Sequence, residues 1–598
     1  MAMKSKLKNI AAITLMTVIA VSASARPARR DPVVMTQPDG TTIEVTLHGD
    51  EFYHWMTSNG VTVAKAPDGF IRPVINPASA QEHALSRAAA KRALLQPTTA
   101  AHKASSSSHS LVILVEFSDL QFIEDDPAAA FSALLNEPGY NVNGSIGSAF
   151  DYFNENSGGK FNTVFDVVGP VQLDYDMAYY GGNEDGGDKQ PVLALVQACQ
   201  KLDADVDFSQ YDTNHDGYVD DVFFFYAGYN EAEGGPSDSI WPHEWSVYSA
   251  LYFSGNSQEN YKFDGVWLGS YACSSEFFGY RNQNMTGIGA FCHEYGHVLG
   301  LPDLYDTDYE ENGLALSMEY FSLMASGCDN SNGRIPPYLS TVEKDILGWM
   351  TMPDLLSEPG TYTVEPVQNN DACRLQTDVE NEYYVLECRS NERWDSGIGG
   401  SGLLIYHVDK SNNKIGRSTA SSMWKNWQSY NNLNAYSSHP LCCIVASTNK
   451  YNDPWYYGSA SKYLFPGDAK AKLFDDTTSP AAVGWSGEPT GHYLSDIAYA
   501  SKKVTFRYFF NPGTLDAIGK KGINAIMNPG KGVYSSDTDF ELALRESNNP
   551  PASVKWYYDG DSVDGPSVTL KKGQHVINAV LKFTDGTTEI LEQVIKVN

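Results

Sequence analysis

Residues 291–306 constrain this chain more than any other stretch, because they read F-C-H-E-Y-G-H-V-L-G-L-P-D-L-Y-D. His293 and His297 are four residues apart, so on a helix their imidazoles lie on one face, one turn apart. That separation suits two nitrogen ligands of a tetrahedral zinc ion. Glu294 would place a carboxylate beside the open coordination position, where it can accept a proton and return it. The pattern H-E-x-x-H therefore predicts a zinc-binding helix.

The flanking residues predict where this helix starts and ends. Thr286 is a suitable N-cap, and Gly300 permits a tight turn at the other end. Between them, apolar residues recur at three-to-four spacing and predict a buried face: Ile288, Phe291, Cys292, Tyr295, Val298 and Leu299. After Gly300 the chain can turn back under the metal and present Asp303. We therefore predict Asp303 as the third ligand, with Glu343, on a predicted helix over 339–347, as the alternative.

The net charge and the amino-terminal segment indicate where the protein works. A formal charge of -31 argues against nucleic acid or an anionic membrane as a partner, since both carry the same sign. Residues 1–25 begin with lysines, continue with an apolar run and end in Ala23-Ser24-Ala25, which is typical of a secretory signal peptide. No later run is long enough to span a membrane. We expect an exported protein, either secreted or at the cell surface.

The rest of the 598 residues is too long for one core and divides into further segments. Residues 26–110 combine turns at 37–40 and 59–60, a helix over 79–95 and a serine-rich linker. They predict a propeptide, with a retained amino-terminal domain as the alternative. Residues 111–350 predict a mixed α/β domain with a strand at 111–115 and helices at 127–135, 146–156 and 191–202. Residues 351–512 predict an all-β sandwich, and residues 513–598 an immunoglobulin-like domain.

Two further patterns concern metals and disulfide bonds. Asp212, Asn214, Asp216 and Asp220 alternate around Gly217 and suit a calcium ion, although Phe223 stands where an EF-hand requires a glutamate. A plain acidic turn is the alternative. The eight cysteines permit up to four disulfide bonds in an exported protein, and buried thiols are the equal alternative. None precedes residue 199, so the leader has no thiolate that could block a zinc site.

Several segments together resemble the immune inhibitor A family of secreted bacterial metallopeptidases, within the metzincin clan. The central one is the zinc motif, which continues through Gly300-Leu301-Pro302-Asp303 to Tyr305-Asp306. The supporting segments are residues 216–220, 227–228, 240–243, 322–327, 347–349 and 402–409. Of these, 322–327 is similar to the family's methionine turn. The resemblance implies a metzincin-like zinc peptidase domain and peptide or protein substrates.

These observations predict a secreted zinc-dependent endopeptidase that is made as a zymogen. His293, His297 and Asp303 would hold zinc, and Glu294 would serve as general base and then as general acid. The alternative is a surface adhesion or binding protein whose metallopeptidase domain is vestigial. Cleavage of casein that a chelator abolishes would separate the two hypotheses.

Overall fold

The computed structural model describes residues 24–29, 31–50, 54–74, 109–184, 187–259, 261–308, 313–476 and 478–510, together with most of 533–597. The helix predicted over 79–95 and the serine-rich part of the linker lie outside these residues. The chain is multidomain and rich in β-structure. Within the described ranges, no helix is long and apolar enough to cross a bilayer.

The described part of residues 26–110, called the leader below, contains an antiparallel sheet whose five strands pair in sequence order. Its strands are β2 (Val33–Thr36), β3 (Thr42–Gly49), β4 (His54–Ser58), β5 (Val61–Lys65) and β6 (Ile71–Pro73). Asn59 and Gly60 both have positive φ between β4 and β5, as the predicted two-residue hairpin requires. Strand β1 (Ser24–Ala25) does not join this sheet; it joins the sheet of the next domain.

That next sheet carries the zinc motif's helix on one face. Its strands are β1, β7 (His109–Glu116), β8 (Val164–Gln172), β11 (Tyr218–Tyr226), β12 (His243–Ser246), β13 (Lys262–Phe263) and β14 (Val266–Ser275), while β9 (Asn183–Glu184) and β10 (Gly187–Asp188) pair separately. The order is β1-β12-β14-β11-β7-β8, with β13 beside β14. Strands β8, β7, β11 and β14 are parallel, whereas β12 is antiparallel to β14. Residues 111–115 are fully buried, as expected for a parallel strand covered on both faces.

The helices predicted at 127–135, 146–156 and 191–202 are present, and the domain contains others that were not predicted. The helices are α1 (Pro127–Asn136), α2 (Ala149–Asn156), α3 (Met177–Gly181), α4 (Val192–Leu202), α5 (Val247–Phe253), α6 (Gly289–Leu299) and α7 (Thr341–Ile346). Helix α2 starts later than predicted, because Ser148 and Asp151 form a capping box at its amino end. The predicted helix over 339–347 is likewise shorter, because Ser340 caps α7.

Residues 360–510 form two larger sheets, which share a hydrophobic cluster, and one two-stranded sheet. The strands are β15 (Gly360–Val364), β16 (Cys373–Gln376), β17 (Glu382–Arg389), β18 (Gly402–Asp409), β19 (Lys414–Ile415), β20 (Ser418–Thr419), β21 (Cys442–Ile444), β22 (His492–Ala500) and β23 (Lys503–Phe510). The sheet orders are β15-β23-β22 and β16-β17-β18-β21, and β19 pairs with β20. Two short helices, α8 (Ala420–Lys425) and α9 (Trp427–Tyr430), lie between β20 and β21. They bring part of this region close to the zinc motif.

The carboxy-terminal residues form a separate β-structure with its own hydrophobic cluster. Its strands are β24 (Val533–Tyr534), β25 (Asp539–Glu541), β26 (Ser553–Tyr558), β27 (Asp561–Val563), β28 (Ser567–Thr569), β29 (Gly573–Lys582) and β30 (Thr588–Val597). They pair in the orders β24-β30-β29-β26-β27 and β25-β28. The predicted turns at 559–560 and 585–586 fall between the expected strands.

Candidate metal centre and active site

Helix α6 carries the zinc motif, but it starts later than predicted. Its first residue is Gly289, and Ile288 occupies the cap position without a side-chain hydrogen bond. The prediction of Thr286 as N-cap is therefore wrong; its backbone N–H donates to Glu276 instead. This segment packs closely, since a Cβ atom at Gly287 or Gly289 would collide with the backbone of residue 328, 333 or 334. Gly300 ends the helix in the left-handed conformation, as predicted.

Three buried acceptor atoms meet beside this helix. The Asp303 Oδ1 atom lies 3.3 Å from Nε2 of His293 and 3.3 Å from Nε2 of His297. A tetrahedral zinc ion with bonds of about 2.0–2.1 Å separates its ligand atoms by roughly 3.3 Å. All three atoms are buried and lack a hydrogen-bond partner. A cation at their centre would satisfy them together, so the residues present fit a zinc ion.

Hydrogen bonds to backbone carbonyl groups fix the orientation of the two imidazoles. His293 Nδ1 donates to the carbonyl oxygen of Leu323, and His297 Nδ1 donates to that of Leu301, both at 2.8 Å. A carbonyl can only accept, so each Nδ1 carries a proton and the neutral ring has its lone pair on Nε2. Burial lowers the pKa of His293, which favours this neutral form. Such outer contacts orient histidine ligands in metal sites.

Asp303 is held by a residue that sequence reasoning missed. Asn431, which directly follows α9, donates from Nδ2 to Asp303 Oδ2 at 2.5 Å, and its Oδ1 accepts from the Asp303 backbone N–H at 3.1 Å. The second carboxylate oxygen is thereby occupied, and Oδ1 is left facing the histidines. Burial raises the pKa of Asp303, but the two adjacent histidines, when they are protonated, outweigh burial and lower this pKa to about 2.

Glu294 lies next to this centre and makes one contact to the leader. Its ligand atoms and those of His293 and His297 lie within 4.8 Å of one another. Its Oε1 accepts a hydrogen bond from the backbone N–H of Arg26 at 3.0 Å, while its buried Oε2 has no hydrogen-bond partner. Burial, and after it the nearby Asp303 carboxylate, raise the pKa of Glu294 well above its ordinary value. Glu294 therefore lies beside the candidate metal centre and within hydrogen-bond distance of a backbone nitrogen.

The predicted methionine turn lies directly beneath the helix. A Cβ atom at Gly296 would come within 2.8 Å of the Met324 sulfur, so the glycine between the two histidines gives the thioether its space. Leu323, the residue before Met324, supplies the carbonyl that orients His293. The turn therefore supports the candidate ligand as well as packing against its helix.

Glu343, the alternative third ligand, has its oxygens engaged elsewhere. Oε1 accepts from the Ser322 hydroxyl at 2.6 Å and from the Met324 backbone N–H at 3.2 Å. Oε2 accepts from the Ser340 backbone N–H at 2.6 Å as part of the capping box of α7. Glu343 thus connects α7 to the methionine turn, and Asp303 is the carboxylate that the structure brings to the histidines.

The candidate calcium loop is organised by its own hydrogen bonds. Asp212 accepts from the backbone N–H groups of Asp216 and Gly217 at 3.0 Å each. Asn214 Oδ1 accepts from Asp216 at 2.9 Å, and Thr213 donates to Asp220. The following residues form β11, which agrees with the argument against an EF-hand.

The eight cysteines are free thiols in the structure, and all but Cys373 are buried. Because burial raises the pKa of Cys292 and Cys328 beside the centre, both are held in the protonated form.

The helix, the convergent acceptor atoms and the adjacent carboxylate define the class of metallopeptidase catalytic domains, and comparison with known proteins agrees. Residues 97–348 match the family described as immune inhibitor A peptidase M6, catalytic domain. The match covers less than half of the chain, so residues 97–348 are similar to the catalytic domain of that family. The resemblance found in the sequence is thus confirmed at the level of the family.

Two relatives illustrate how far the similarity extends. The chain is 30% identical over 254 residues to immune inhibitor A of Bacillus thuringiensis subsp. alesti, covering 36% of each protein. It is 27% identical over 256 residues to the pre-pro-metalloprotease PrtV of Vibrio cholerae, covering 36% of this chain and 27% of PrtV. The chain therefore spans about a third of the length of these relatives.

Among solved structures, wild-type OgpA from Akkermansia muciniphila aligns over 82% of this chain and 93% of its own length. The sequence identity is 10% and the TM-score is 0.23. A score this low does not bear on the fold or the function.

Proposed function

We propose that this protein is an exported zinc endopeptidase that hydrolyses peptide bonds of proteins and is synthesised as a zymogen. The observation that supports it most is the meeting of three buried acceptor atoms, from His293, His297 and Asp303, beside the Glu294 carboxylate. The three atoms would hold zinc, and Glu294 is left free of that role. This separation of ligands from an acid–base group is what a hydrolytic metal site requires.

Different residues have different roles in hydrolysis. When bound, zinc supplies Lewis-acid activation of water and of the scissile carbonyl. Glu294 accepts the proton of the attacking water and then delivers it to the leaving nitrogen, at the place where the Arg26 nitrogen now contacts Oε1. Asn431 and the carbonyl groups of Leu301 and Leu323 keep the ligand side chains in position.

The position of the leader supports synthesis as a zymogen. Arg26, the first residue after the predicted signal peptide, contacts Glu294. Leader residues including Val33, Val45 and Leu47 share a hydrophobic cluster with Trp241 of the catalytic domain. A substrate could not reach Glu294 at this point until the leader left. Export itself rests on the signal-peptide pattern in residues 1–25.

Four finer assignments are part of the same proposal. We assign the catalytic domain to the metzincin-like architecture, residues 351–512 to a β-sandwich and residues 513–598 to an immunoglobulin-like domain. Calcium at residues 212–220 is proposed on the pattern of oxygen ligands alone. The alternative of a surface adhesion protein with a vestigial site has no observation in its favour.

Replacement of Glu294 by Gln is the direct test. Glu294→Gln keeps the shape of the side chain but cannot accept a proton, so we expect zinc to remain at one ion per chain while casein hydrolysis falls by at least about 10³-fold. Hydrolysis is measured on gels with and without a chelator, and zinc by elemental analysis. Wild-type activity in the variant, or chelator-insensitive cleavage by the wild type, would contradict the proposal.

A further inference from the structure

A buried acidic pocket beside the candidate active site encloses one arginine. The Arg26 guanidinium forms ion pairs with Glu233 through Nη1 and with Asp329 through Nη2. The Arg26 and Glu233 side chains are 1% and 0% exposed, and Asp329 is 19% exposed. The second oxygen of Glu233 accepts a hydrogen bond from the Gly279 backbone N–H. Two carboxylates held in this way match the two ends of the guanidinium fork.

The peptide that carries this arginine lies where an extended substrate would lie. Ser24 is paired with Glu244 and Ala25 with His243, antiparallel to the free edge of β12. The indole N–H of Trp241 donates to the Arg26 carbonyl oxygen at 3.1 Å. Addition of a strand to a sheet edge is a general mode of peptide recognition, in which side-chain pockets provide the specificity.

The hydrogen bond from the Arg26 backbone N–H to Glu294 indicates on which side of a scissile bond the residue bound in the pocket lies. Hydrolysis breaks the bond between the carbonyl carbon and the nitrogen; the water oxygen joins the carbon, and a proton is delivered to the nitrogen. The group that delivers this proton must contact the nitrogen of the residue after the bond. Glu294 Oε1 contacts the nitrogen of Arg26, so Arg26 occupies the first position on the leaving-group side.

From these contacts we infer that Glu233 and Asp329 form a specificity pocket for an arginine side chain immediately after the scissile bond. The inference deepens the proposed function and rests on it. A neutral side chain in this pocket would leave Glu233 buried and unpaired, which is costly, and the single ammonium of lysine cannot bridge both carboxylates in the planar fork. The preferred substrates would be exposed, extended segments with arginine on the leaving side. The predicted export signal ends at Ala25, and the Arg26 side chain can fill the pocket whether or not that signal is removed.

The experiment uses protein purified from the culture medium in the form that digests casein. Quenched fluorescent peptides that differ only in the residue after the scissile bond are compared: arginine, its neutral isostere citrulline, lysine and leucine. We expect kcat/KM for the arginine peptide to exceed that for citrulline by about 10- to 100-fold, the equivalent of charge-assisted hydrogen bonds. In casein digests, mass spectrometry should find arginine enriched at the new amino termini.

Variants of the pocket test whether these two carboxylates are responsible. Glu233→Gln should lower kcat/KM for the arginine peptide by about 10- to 100-fold and leave citrulline unchanged or improved. Asp329→Asn, at a more exposed position, should reduce the arginine preference in the same direction and serves if Glu233→Gln does not fold. Glu392→Gln removes one charge from a carboxylate that is 43% exposed. This control should leave kcat/KM unchanged for both the arginine peptide and the citrulline peptide.

The outcomes separate this inference from the proposed function. If casein is cleaved in a chelator-sensitive way but arginine is not preferred, or the preference survives in both pocket variants, the pocket only anchors the leader and the inference is wrong. If no peptide or protein is cleaved in a chelator-sensitive way, the peptidase function itself fails. A preference for arginine before the scissile bond would show that the leader lies in the opposite sense to a substrate.

Discussion

At the scale of single residues, the candidate centre depends on atoms from distant parts of the chain. His293, His297 and Asp303 come from one stretch, but the Asp303 carboxylate is oriented by Asn431, 128 residues later. Asn431 has φ of 39°, in the left-handed region, directly after α9. Its amide reaches Asp303 because the chain reverses there. The geometry of the third ligand therefore depends on the following β-domain.

Replacing Asn431 should weaken zinc binding more than it weakens the fold. In Asn431→Ala the Asp303 carboxylate loses its donor and can rotate, so we expect zinc affinity to fall by about 10- to 100-fold. The measurement is a competition titration against a chromogenic chelator, combined with kcat/KM for a peptide substrate.

Asn434→Ala is the matched control for this change. Asn434 joins the same two regions, but its contacts are to the backbone of Leu304 and Cys442 and to no candidate ligand. It should lower the thermal unfolding midpoint without changing zinc affinity. Equal zinc affinity in Asn431→Ala and the wild type would show that Asp303 does not depend on this amide.

At the scale of elements, α6, α7 and the methionine turn form one support. The turn orients His293, the space beside Gly296 accommodates Met324, and Glu343 connects the turn to the start of α7. Glu343 therefore acts on the centre through the turn and makes none of the contacts expected of a ligand. Replacing Glu343 should therefore affect stability, whereas replacing Asp303 should affect zinc binding.

Neutral replacements of the two carboxylates should separate these roles. Glu343→Gln has one acceptor oxygen instead of two, so it cannot accept from both the Ser340 and the Met324 backbone N–H groups, and we expect a loss of stability of about 1–3 kcal/mol with zinc still bound. Asp303→Asn should fold and lose most of its zinc affinity. Stability is measured by denaturant unfolding and zinc by elemental analysis. If Glu343→Gln folds but binds no zinc, while Asp303→Asn retains zinc, then Glu343 and not Asp303 is the third ligand.

The sequence predicted what local periodicity can determine. Helical spacing placed His293, Glu294 and His297 on one helix, and Gly300 marked its end, because these features depend on neighbouring residues. The start of α6 was mispredicted because its cap residue, Ile288, makes no side-chain hydrogen bond that a capping pattern could reveal, and this segment packs closely against residues 328, 333 and 334. Arg26 and Asn431 were missed because their contacts span 268 and 128 residues.

At the scale of the whole molecule, the catalytic domain and the following β-domain share one core. A single hydrophobic cluster includes Phe291 and Met324 from the first and Tyr406 and Leu441 from the second. Arg389 of β17 is fully buried and donates to the carbonyl oxygens of Phe321 and Tyr338 at 3.0 and 2.9 Å. Two regions joined in this way should unfold together.

The carboxy-terminal β-structure differs in this respect, because its cluster contains only residues from 540 onward. Its described contacts to the rest of the chain include a hydrogen bond from Arg507 to the carbonyl oxygen of Asp559 at 3.0 Å. Such a connection is weak compared with a shared core. We therefore expect this region to unfold independently.

Calorimetry can test this division together with the metal site. We expect two transitions, of which the larger comprises the catalytic and β-domains and the smaller the carboxy-terminal region. Removal of zinc should lower the larger midpoint by several degrees, because a ligand bound only to the folded state stabilises that state alone. Ile577→Ala, in the carboxy-terminal core, should remove about 2–5 kcal/mol from the smaller transition and leave the larger one unchanged. If a chelator instead split the larger transition and moved only one part, the shared core would not couple the two domains, and Asn431 could not transmit the state of the β-domain to Asp303.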